Sequence, residues 1–207
     1  MSEIAPGAFH YPGFLDEAEQ GALAQEIARV IAAAPLYVST MPKTGAPMSV
    51  RMTNCGALGW VSDKERGYRY EPRHPATGEP WPAMPRRLLD LWEALARYRK
   101  PPEACLVNVY DEKARMGLHQ DRDEADFAAP ILSLSLGADC RFRLGGTRRG
   151  DGSIALTLSS GDALVLSGPA RMRYHGVDRI LPTMGTPLPA ALATQGVRVN
   201  LTLRRVT

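Results

Sequence analysis

The chain has 207 residues, of which 44% are hydrophobic and 23% charged, and its formal net charge is +3. This composition predicts one soluble globular domain with a full core, and no apolar run approaches the ~20 residues that a membrane-spanning helix needs. Residues 1–14 lack the features of a secretory signal and the three cysteines form no CxxC pair, so we expect a cytoplasmic protein with free thiols.

Two amphipathic helices are predicted in the first half of the chain. In residues 15–34, apolar residues recur at helical spacing from Leu23 onward, and acidic residues occupy the first turn. Residues 85–99 repeat the pattern from Leu88 onward, with a proline at a favourable first position. The intervening residues 40–84 are rich in Gly, Pro and Met and show little periodicity, which predicts a long loop-and-hairpin arm of the kind that often forms a lid.

From residue 104 onward the hydrophobic period changes to two, which is typical of strands. The runs with this character are ACLVNVY, PILSLSLG, CRFRL, SIALTLSSGDALVLSG, MRYHGV and VRVNLTLR. About seven or eight short strands separated by turn residues predict a β-sandwich or barrel, for which a double-sheet jelly roll is one solution.

Histidine is scarce in this chain, and one of the four histidines stands two residues before a carboxylate, in His119-x-Asp121. Residues i and i+2 of a strand project from the same face, so both side chains can approach one centre. His175, near the end of a later predicted strand, can supply a third ligand. Two histidines and one carboxylate are typical of non-haem Fe(II) oxygenases. The short motif alone is a weak signal that also arises by chance in polar turns, and His175 is also compatible with a histidine bonded to backbone in the core.

The last predicted strand carries apolar residues on one face and Arg198, Asn200, Thr202 and Arg204 on the other. If the polar face points into a barrel, the two arginines are buried cations that need anionic partners, and together they can bracket a small dicarboxylate. In the predicted strand 104–110, Asn108 and Tyr110 alternate in the same way, and their amide and phenol groups can bond the same anion. An ordinary half-exposed strand would show the same pattern.

Arginines also cluster at Arg141, Arg143, Arg148 and Arg149, and again at Arg171, Arg173 and Arg179. Residues 1–40 contain five acidic residues and one arginine, a net −4, so the rest of the chain carries +7 to give the total of +3. A basic face of this kind can attract phosphate, although a solvated surface would have the same composition.

Taken together, these motifs resemble one family. The stretches that carry the resemblance run in order from about residue 40 to the C-terminus and are MSVRMTNCGALGW, PWPAMP, ACLVNVY, LHQDRDE, PILSLSLG, YHGV and RVNLTLR. They resemble the bacterial AlkB family of Fe(II)/2-oxoglutarate dioxygenases, which repair alkylated nucleobases.

The resemblance implies an α+β fold of a single domain over residues 1–207. Residues 1–100 would form N-terminal helices and a nucleotide-recognition lid, and residues 101–207 a double-stranded β-helix (jelly roll) core. The implied iron ligands are His119, Asp121 and His175. The implied 2-oxoglutarate shell is Asn108, Tyr110, Arg198, Asn200 and Arg204.

The resemblance also implies a set of nucleotide contacts. Met52, Trp60 and Tyr68 match the lid, with Trp60 stacking on an extruded base opposite His119, and Asp123 matches the acid that binds the exocyclic amine of the base. Arg148 and Arg149 both fit one basic position near the nucleotide. From the residues alone, Trp60 is better explained as an exposed anchor of a hairpin.

The implied reaction uses Fe(II), 2-oxoglutarate and O2 to oxidise the N-methyl group of 1-methyladenine or 3-methylcytosine in DNA. It releases formaldehyde, succinate and CO2. We expect a monomer that acts on alkylated single-stranded DNA, and possible substrates include double-stranded DNA and RNA, without a membrane partner. Two alternatives remain open at this point: the same chemistry on methylated RNA, and a catalytically silent jelly-roll module that binds nucleic acid.

Overall fold

The computed structural model describes the backbone of residues 1–207 and the side chains of all of them except residues 183–185. The helices and strands of the described chain are β1 Ser2–Ala5, β2 Ala8–Tyr11, α1 Glu17–Ala33, β3 Tyr37–Thr40, β4 Pro47–Gly56, β5 Gly59–Asp63, β6 Gly67–Glu71, α2 Arg86–Ala96, β7 Ala104–Tyr110, β8 Met116–His119, β9 Ile131–Leu144, β10 Ile154–Leu158, β11 Ala163–Leu166, β12 His175–Gly185 and β13 Arg198–Arg204. Short 3-10 turns lie at Gly168–Ala170 and Ala190–Leu192.

Both predicted helices are confirmed. Helix α1 begins after Asp16, whose side chain accepts a hydrogen bond from the amide of Glu19 while the Glu19 side chain accepts one from the amide of Asp16. This capping box satisfies two amides that the helix leaves free at its start. Helix α2 ends at Ala96, because Arg97 adopts a left-handed conformation with φ 51°. Both helices lie against the sheet through the apolar faces that their sequences predict.

The strands form two facing sheets, which confirms the predicted jelly roll. The major sheet has the strand order β1-β2-β11-β9-β13-β7-β4-β3. The minor sheet has the order β10-β9-β12-β8. Strand β9 belongs to both sheets, because its first half pairs with β11 and β13 and its second half with β10 and β12. Gly137 lies where β9 changes sheets, with φ +86°, and a Cβ there would approach the Val197 carbonyl to 2.5 Å.

Two apolar clusters fill the fold on opposite sides of the major sheet. One lies between this sheet and the helices, and includes Ile27, Trp92 and Leu201. The other lies between the two sheets, and includes Phe142 and Ile180. The major sheet is therefore covered on both faces, and polar side chains that point between the sheets are removed from water. This is where the predicted polar face of the last strand lies.

Three features differ from the sequence prediction. Residues 1–14 contain β1, at the edge of the major sheet, and β2, between β1 and β11, and we predicted neither strand. The expected irregular arm over residues 40–84 is wrong for β4, a ten-residue strand that pairs with β7 inside the major sheet. The segments PILSLSLG and CRFRL, predicted as separate strands, form the continuous strand β9. Within this arm, only β5 and β6 form a separate hairpin, which we call the lid hairpin (residues 59–71).

No described helix is long and apolar enough to cross a membrane.

Candidate metal centre and active site

His119 and His175 are brought together by strand pairing at one end of the minor sheet. They are direct partners in the antiparallel pair β8–β12, and their ring centroids are 4.5 Å apart. Gly176 permits this close pairing, because a Cβ at that position would lie 2.5 Å from the carbonyl oxygen of Met116. The sequence therefore places one imidazole on each of two neighbouring strands, facing the same side.

Asp121 completes the group from the loop that follows β8. We expected His119 and Asp121 to share a strand face, but β8 ends at His119 and Asp121 lies beyond it. Its Oδ1 is 3.6 Å from His119 Nε2, and its Oδ2 is 3.5 Å from His175 Nε2. One donor atom from each of the three residues lies within 4.8 Å of the others. Two imidazole nitrogens and a carboxylate oxygen can thus coordinate a single metal ion.

The tautomers of both histidines favour metal coordination. His119 Nδ1 donates to the carbonyl of Gly117 at 2.9 Å, and His175 Nδ1 donates to the carbonyl of Arg173 at 3.0 Å. A carbonyl can only accept, so the proton is on Nδ1 and the lone pair on Nε2. Burial, together with the neighbouring His175, lowers the pKa of His119 to about 4. This ring is therefore neutral at physiological pH, as a metal ligand must be.

The carboxylate is kept ionised by its surroundings. Burial alone would raise the pKa of Asp121, but the Arg204 guanidinium holds it well below its usual range. Arg204 Nη2 is 2.8 Å from Asp121 Oδ1. Asp121 Oδ2 is buried and accepts no hydrogen bond from any described side chain or backbone group. A buried anionic oxygen without a donor is costly unless a cation binds it, so these residues fit a divalent metal ion.

A row of polar side chains crosses the major sheet next to this centre. Asn200 is directly opposite Asn108 of β7 on one side and Ser135 of β9 on the other. Arg198 is likewise opposite Tyr110. These side chains point between the sheets, as the alternation of the last strand predicted, so the half-exposed alternative is wrong. The amide of Asn200 is already engaged, since it donates to Ser133 Oγ at 2.8 Å.

Arg198 is the residue in this row best suited to bind an anion. Its side chain is only 1% exposed. Its Nη atoms donate to neutral acceptors, the carbonyls of Ala138 and Leu158 and the hydroxyl of Ser135. Its Nε is buried without an acceptor, and no acidic side chain within the described part of the chain pairs with it. A buried cation in this state fits the carboxylate of a small ligand such as 2-oxoglutarate.

Trp60 of the lid hairpin contacts the loop that carries Asp121 and is held by several hydrogen bonds and a stacked ring. Its indole Nε1 donates to Asp123 Oδ2 at 2.8 Å, two residues beyond Asp121. Tyr68 stacks on the indole, with ring centroids 5.5 Å apart and an interplanar angle of 23°. The backbone amide of Trp60 donates to Asn54 Oδ1, and its carbonyl accepts from the Asn54 amide. The indole is therefore preorganised, with one face against Tyr68.

The other predicted nucleotide contacts are distributed differently. Met52 does not belong to the lid hairpin, because it lies in β4, is 1% exposed and is paired with Asn108. Arg148 and Arg149 are both exposed in the hairpin between β9 and β10. The Arg149 guanidinium lies over the ring of Tyr174, 5.5 Å from the ring centroid. Tyr174 is the residue directly before His175 in the chain. Of the two arginines, Arg149 is thus the one with a contact beside the metal centre.

A buried charge network beneath the centre was missed by sequence reasoning. Glu124 accepts a hydrogen bond from the Tyr70 hydroxyl and forms a 3.0 Å ion pair with Arg171. Arg171 also donates to the carbonyl of Asp121 at 2.6 Å, and Arg204 donates to Tyr70 at 3.3 Å. In the sequence, Glu124 and Arg171 lie in charged runs typical of a solvated surface. Only their location close to predicted ligands, three residues after Asp121 and four before His175, could have indicated a buried role.

Two facing sheets with a pair of histidines and a carboxylate at one end define a class of protein. They are the fold and ligand set of the non-haem Fe(II) oxygenases. Comparison with known proteins agrees with this class. Residues 7–204 match the family model described as the 2OG-Fe(II) oxygenase superfamily.

Individual relatives narrow the class further. The chain is 52% identical to the alpha-ketoglutarate-dependent dioxygenase AlkB homolog of Caulobacter vibrioides, over 98% of this chain and 89% of that protein. It is 41% identical to alpha-ketoglutarate-dependent dioxygenase AlkB of Escherichia coli, over 98% of this chain and 91% of that protein. The solved structure of OsALKBH1 superimposes with a TM-score of 0.79 at 26% identity, covering 99% of this chain and 100% of that one.

The chain belongs to the AlkB family of the 2OG-Fe(II) oxygenase superfamily, which confirms the resemblance found in the sequence. It is accordingly an Fe(II)- and 2-oxoglutarate-dependent dioxygenase that uses O2.

Proposed function

We propose that this dioxygenase removes N-alkyl groups from nucleobases of the 1-methyladenine and 3-methylcytosine type in nucleic acid, with single-stranded DNA as its preferred substrate. The observation that carries the proposal is the preorganised indole of Trp60, which is hydrogen-bonded to Asp123, two residues after Asp121. An aromatic platform over a metal is typical of a pocket for an extruded base, and stacking contributes about 1–3 kcal/mol per base. Products are the repaired base, formaldehyde, succinate and CO2.

In this proposal His119, Asp121 and His175 hold Fe(II). The fit rests on the two Nε2 atoms, which the Nδ1 hydrogen bonds leave available, and on the buried Asp121 Oδ2, which accepts no hydrogen bond from the described groups. When bound, Fe(II) and 2-oxoglutarate supply the activation of O2 that oxidises the N-methyl carbon of the substrate. The protein contributes the geometry, since ligands on paired strands and a bonded loop keep the donor atoms together.

We assign the co-substrate to the polar row between the sheets. Arg198 binds the carboxylate farther from the metal, because it is buried and has only neutral acceptors in the described structure. Arg204 binds the carboxylate nearer the metal, where its guanidinium already contacts Asp121. Asn108 and Tyr110 line the same side, and the Asn108 Oδ1 is buried without a partner among the described groups. Asn200 supports the row through its bond to Ser133.

The nucleotide occupies the space between the lid hairpin and the metal centre. Trp60 stacks on the base, and Tyr68, which is 46% exposed, borders the entrance. An ionised carboxylate is an acceptor only, so Asp123 binds bases with an exocyclic amine and disfavours those with a carbonyl at that position. Arg149 binds a phosphate, with Arg148 as its exposed neighbour. Met52 supports the pocket indirectly and does not touch the nucleotide, because it is buried in β4.

We further propose that the protein acts as a monomeric single domain in the cytoplasm. Strands from residues 1–100 form both sides of the major sheet and flank the four strands from residues 101–207, which supports a single domain rather than two. The cysteines Cys55, Cys105 and Cys140 are free and buried, in keeping with a reducing compartment.

The deciding experiment incubates the protein with Fe(II), 2-oxoglutarate and O2 and with oligonucleotides that carry one 1-methyladenine or 3-methylcytosine. Single-stranded DNA, duplex DNA and RNA of one sequence are compared, and formaldehyde and restored base are quantified. Omission of 2-oxoglutarate is the control for uncoupled oxidation. Fastest repair of single-stranded DNA is the expected result. Faster repair of RNA would identify methylated RNA as the preferred substrate. Tight binding without any product would identify a silent nucleic-acid-binding module.

A further inference from the structure

The outer face of the minor sheet carries a row of arginines that the active site does not use. Arg141 of β9 is directly opposite Arg179 of β12, and Arg143 lies two residues further along β9. The residues that alternate with them, such as Cys140 and Phe142, point into the core between the sheets. The arginines therefore point outward, and we call Arg141, Arg143 and Arg179 the arginine face.

Placing Arg141 opposite Arg179 is unfavourable for the protein alone. Side chains directly opposite each other in an antiparallel pair have Cβ atoms about 4.5–5.5 Å apart, and like charges there are destabilising. One ion pair offsets them in the described structure, that of Asp178 Oδ2 with Arg141 Nε at 3.7 Å. Asp139, two residues before Arg141 in β9, is 7% exposed and lies opposite Leu181, so two carboxylates face three arginines. Arg143 is held by a neutral partner, Ser153 Oγ, at 3.0 Å. The face therefore keeps an excess of positive charge.

Small neighbours leave room for a ligand between these arginines. Thr157 lies opposite Arg141 on the other side, and Ala155 and Gly176 lie opposite Arg143. A groove of about 280 Å³ runs along this face, and its walls are Arg141, Ala155, Leu156, Thr157, Arg179 and Leu181. An open groove with cationic walls and a short uncharged floor complements a chain of phosphates rather than an apolar ligand.

The arginine face is continuous with the rim of the active site. In the β9–β12 pair, His175 is opposite Leu144, the next pair contains Arg143, and the pair of arginines follows. The hairpin that carries Arg148 and Arg149 follows Arg143 in the chain and connects β9 to β10. Positions two apart along a strand are separated by roughly 6.6 Å, so the cations form a regular track that leads away from the pocket.

We propose that the arginine face binds the phosphodiester backbone of the lesion-bearing strand, several nucleotides away from the base in the pocket. The inference rests on the proposed function, because it assumes that the substrate is a nucleic acid. The contacts go to phosphates only, so they add affinity without adding sequence preference. A repair enzyme gains from such a surface, because the lesion occurs in any sequence.

The test is the double variant Arg141→Gln/Arg179→Gln, which removes two charges and keeps polar side chains of similar length. Its affinity for an unmethylated 20-nucleotide single strand is measured by fluorescence anisotropy at several salt concentrations. Each phosphate contact contributes about 0.7 to the slope of log K against log salt for single strands, so the slope should fall by about 1.4. The double variant Arg86→Gln/Arg99→Gln, with exposed arginines at helix α2, is the control for net charge.

Two further measurements separate this inference from the proposed function. Demethylation of a methylated trinucleotide should be the same in wild type and Arg141→Gln/Arg179→Gln, because a trinucleotide is too short to reach the face. The thermal midpoint of the variant should be unchanged or raised, since a like-charge pair is removed. A salt slope equal to that of wild type, or equal to that of the Arg86→Gln/Arg99→Gln control, overturns the inference. Absence of demethylation in wild type overturns the proposed function alone, because the salt slope still reports on the face.

Discussion

Replacing Arg171 with methionine should cost more stability than any single surface charge change in this protein. The Arg171–Glu124 pair is 3.0 Å long, and the two side chains are 3% and 1% exposed. Removing one partner of a buried pair typically costs about 3–5 kcal/mol, because the remaining charge stays buried. Tyr70 and Arg204 still contact Glu124, which favours the lower end of that range. We therefore expect Arg171→Met to lower the free energy of unfolding by about 3 kcal/mol.

The loss is measured by urea unfolding followed by circular dichroism, with the m-value checked for constancy. Arg86→Met is the matched control, because Arg86 forms a surface pair with Asp90 in which the side chains are 79% and 55% exposed. Such a pair contributes about 0.3–0.5 kcal/mol. The double variant Arg171→Met/Glu124→Gln should lose less than the sum of the two single variants, since it leaves no unpaired charge.

A loss below about 1 kcal/mol for Arg171→Met would refute the reasoning, because that size is typical of an exposed pair. Additive losses in the double variant would refute it as well. Either result would mean that water reaches Glu124 and that the network does not hold the loop that carries Asp121.

Three further predictions concern the site. Asp121→Ala should stop formaldehyde release while oligonucleotide affinity stays within twofold of wild type, because the phosphate contacts lie elsewhere; retained demethylation would exclude Asp121 as a ligand. Arg198→Met should raise the dissociation constant for 2-oxoglutarate in calorimetric titration by at least tenfold, given a charge-assisted hydrogen bond of about 1.5–3 kcal/mol; an unchanged constant would place the co-substrate elsewhere. Trp60→Phe keeps an aromatic face but loses the N–H that orients Asp123. Its preference for 1-methyladenine over 1-methylguanine, measured as a ratio of kcat/KM, should fall about tenfold, and an unchanged ratio would mean that Asp123 is oriented without the indole.

Much of the fold followed from the hydrophobic period. The change from a helical period to a period of two located both helices and the strands of the core. Strand β4 was missed although residues 48–53 alternate between apolar and polar side chains, because the segment around it is rich in Gly and Pro and predicts an irregular arm. Its last two polar residues, Thr53 and Asn54, are buried, and Thr53 donates to the carbonyl of Ala34 at 2.8 Å, which the pattern of one strand cannot indicate. Strand β9 was divided in two because Gly137 is also typical of a turn.

The site was predicted as a set of residues but not in its supporting contacts. The ligand types and the polar face of β13 are local features, visible in short segments. Glu124, Arg171 and Tyr70 meet only through the tertiary fold, and each resembles a solvated residue in its own segment. The contact of Trp60 with Asp123 also joins segments 63 residues apart, and no local pattern encodes it.

The sharing of β9 between the two sheets has a consequence for how the protein opens. Strand β9 is hydrogen-bonded to β11 and β13 along one half and to β10 and β12 along the other. It cannot leave the major sheet without disturbing the minor sheet, and these two sheets are the walls of the fold. In hydrogen exchange, its amides should be released only by global unfolding, so both walls form one cooperative unit. The lid hairpin is bonded as a separate two-stranded sheet and should exchange by local opening. Access to the metal centre can therefore vary without loosening the strands that hold its ligands.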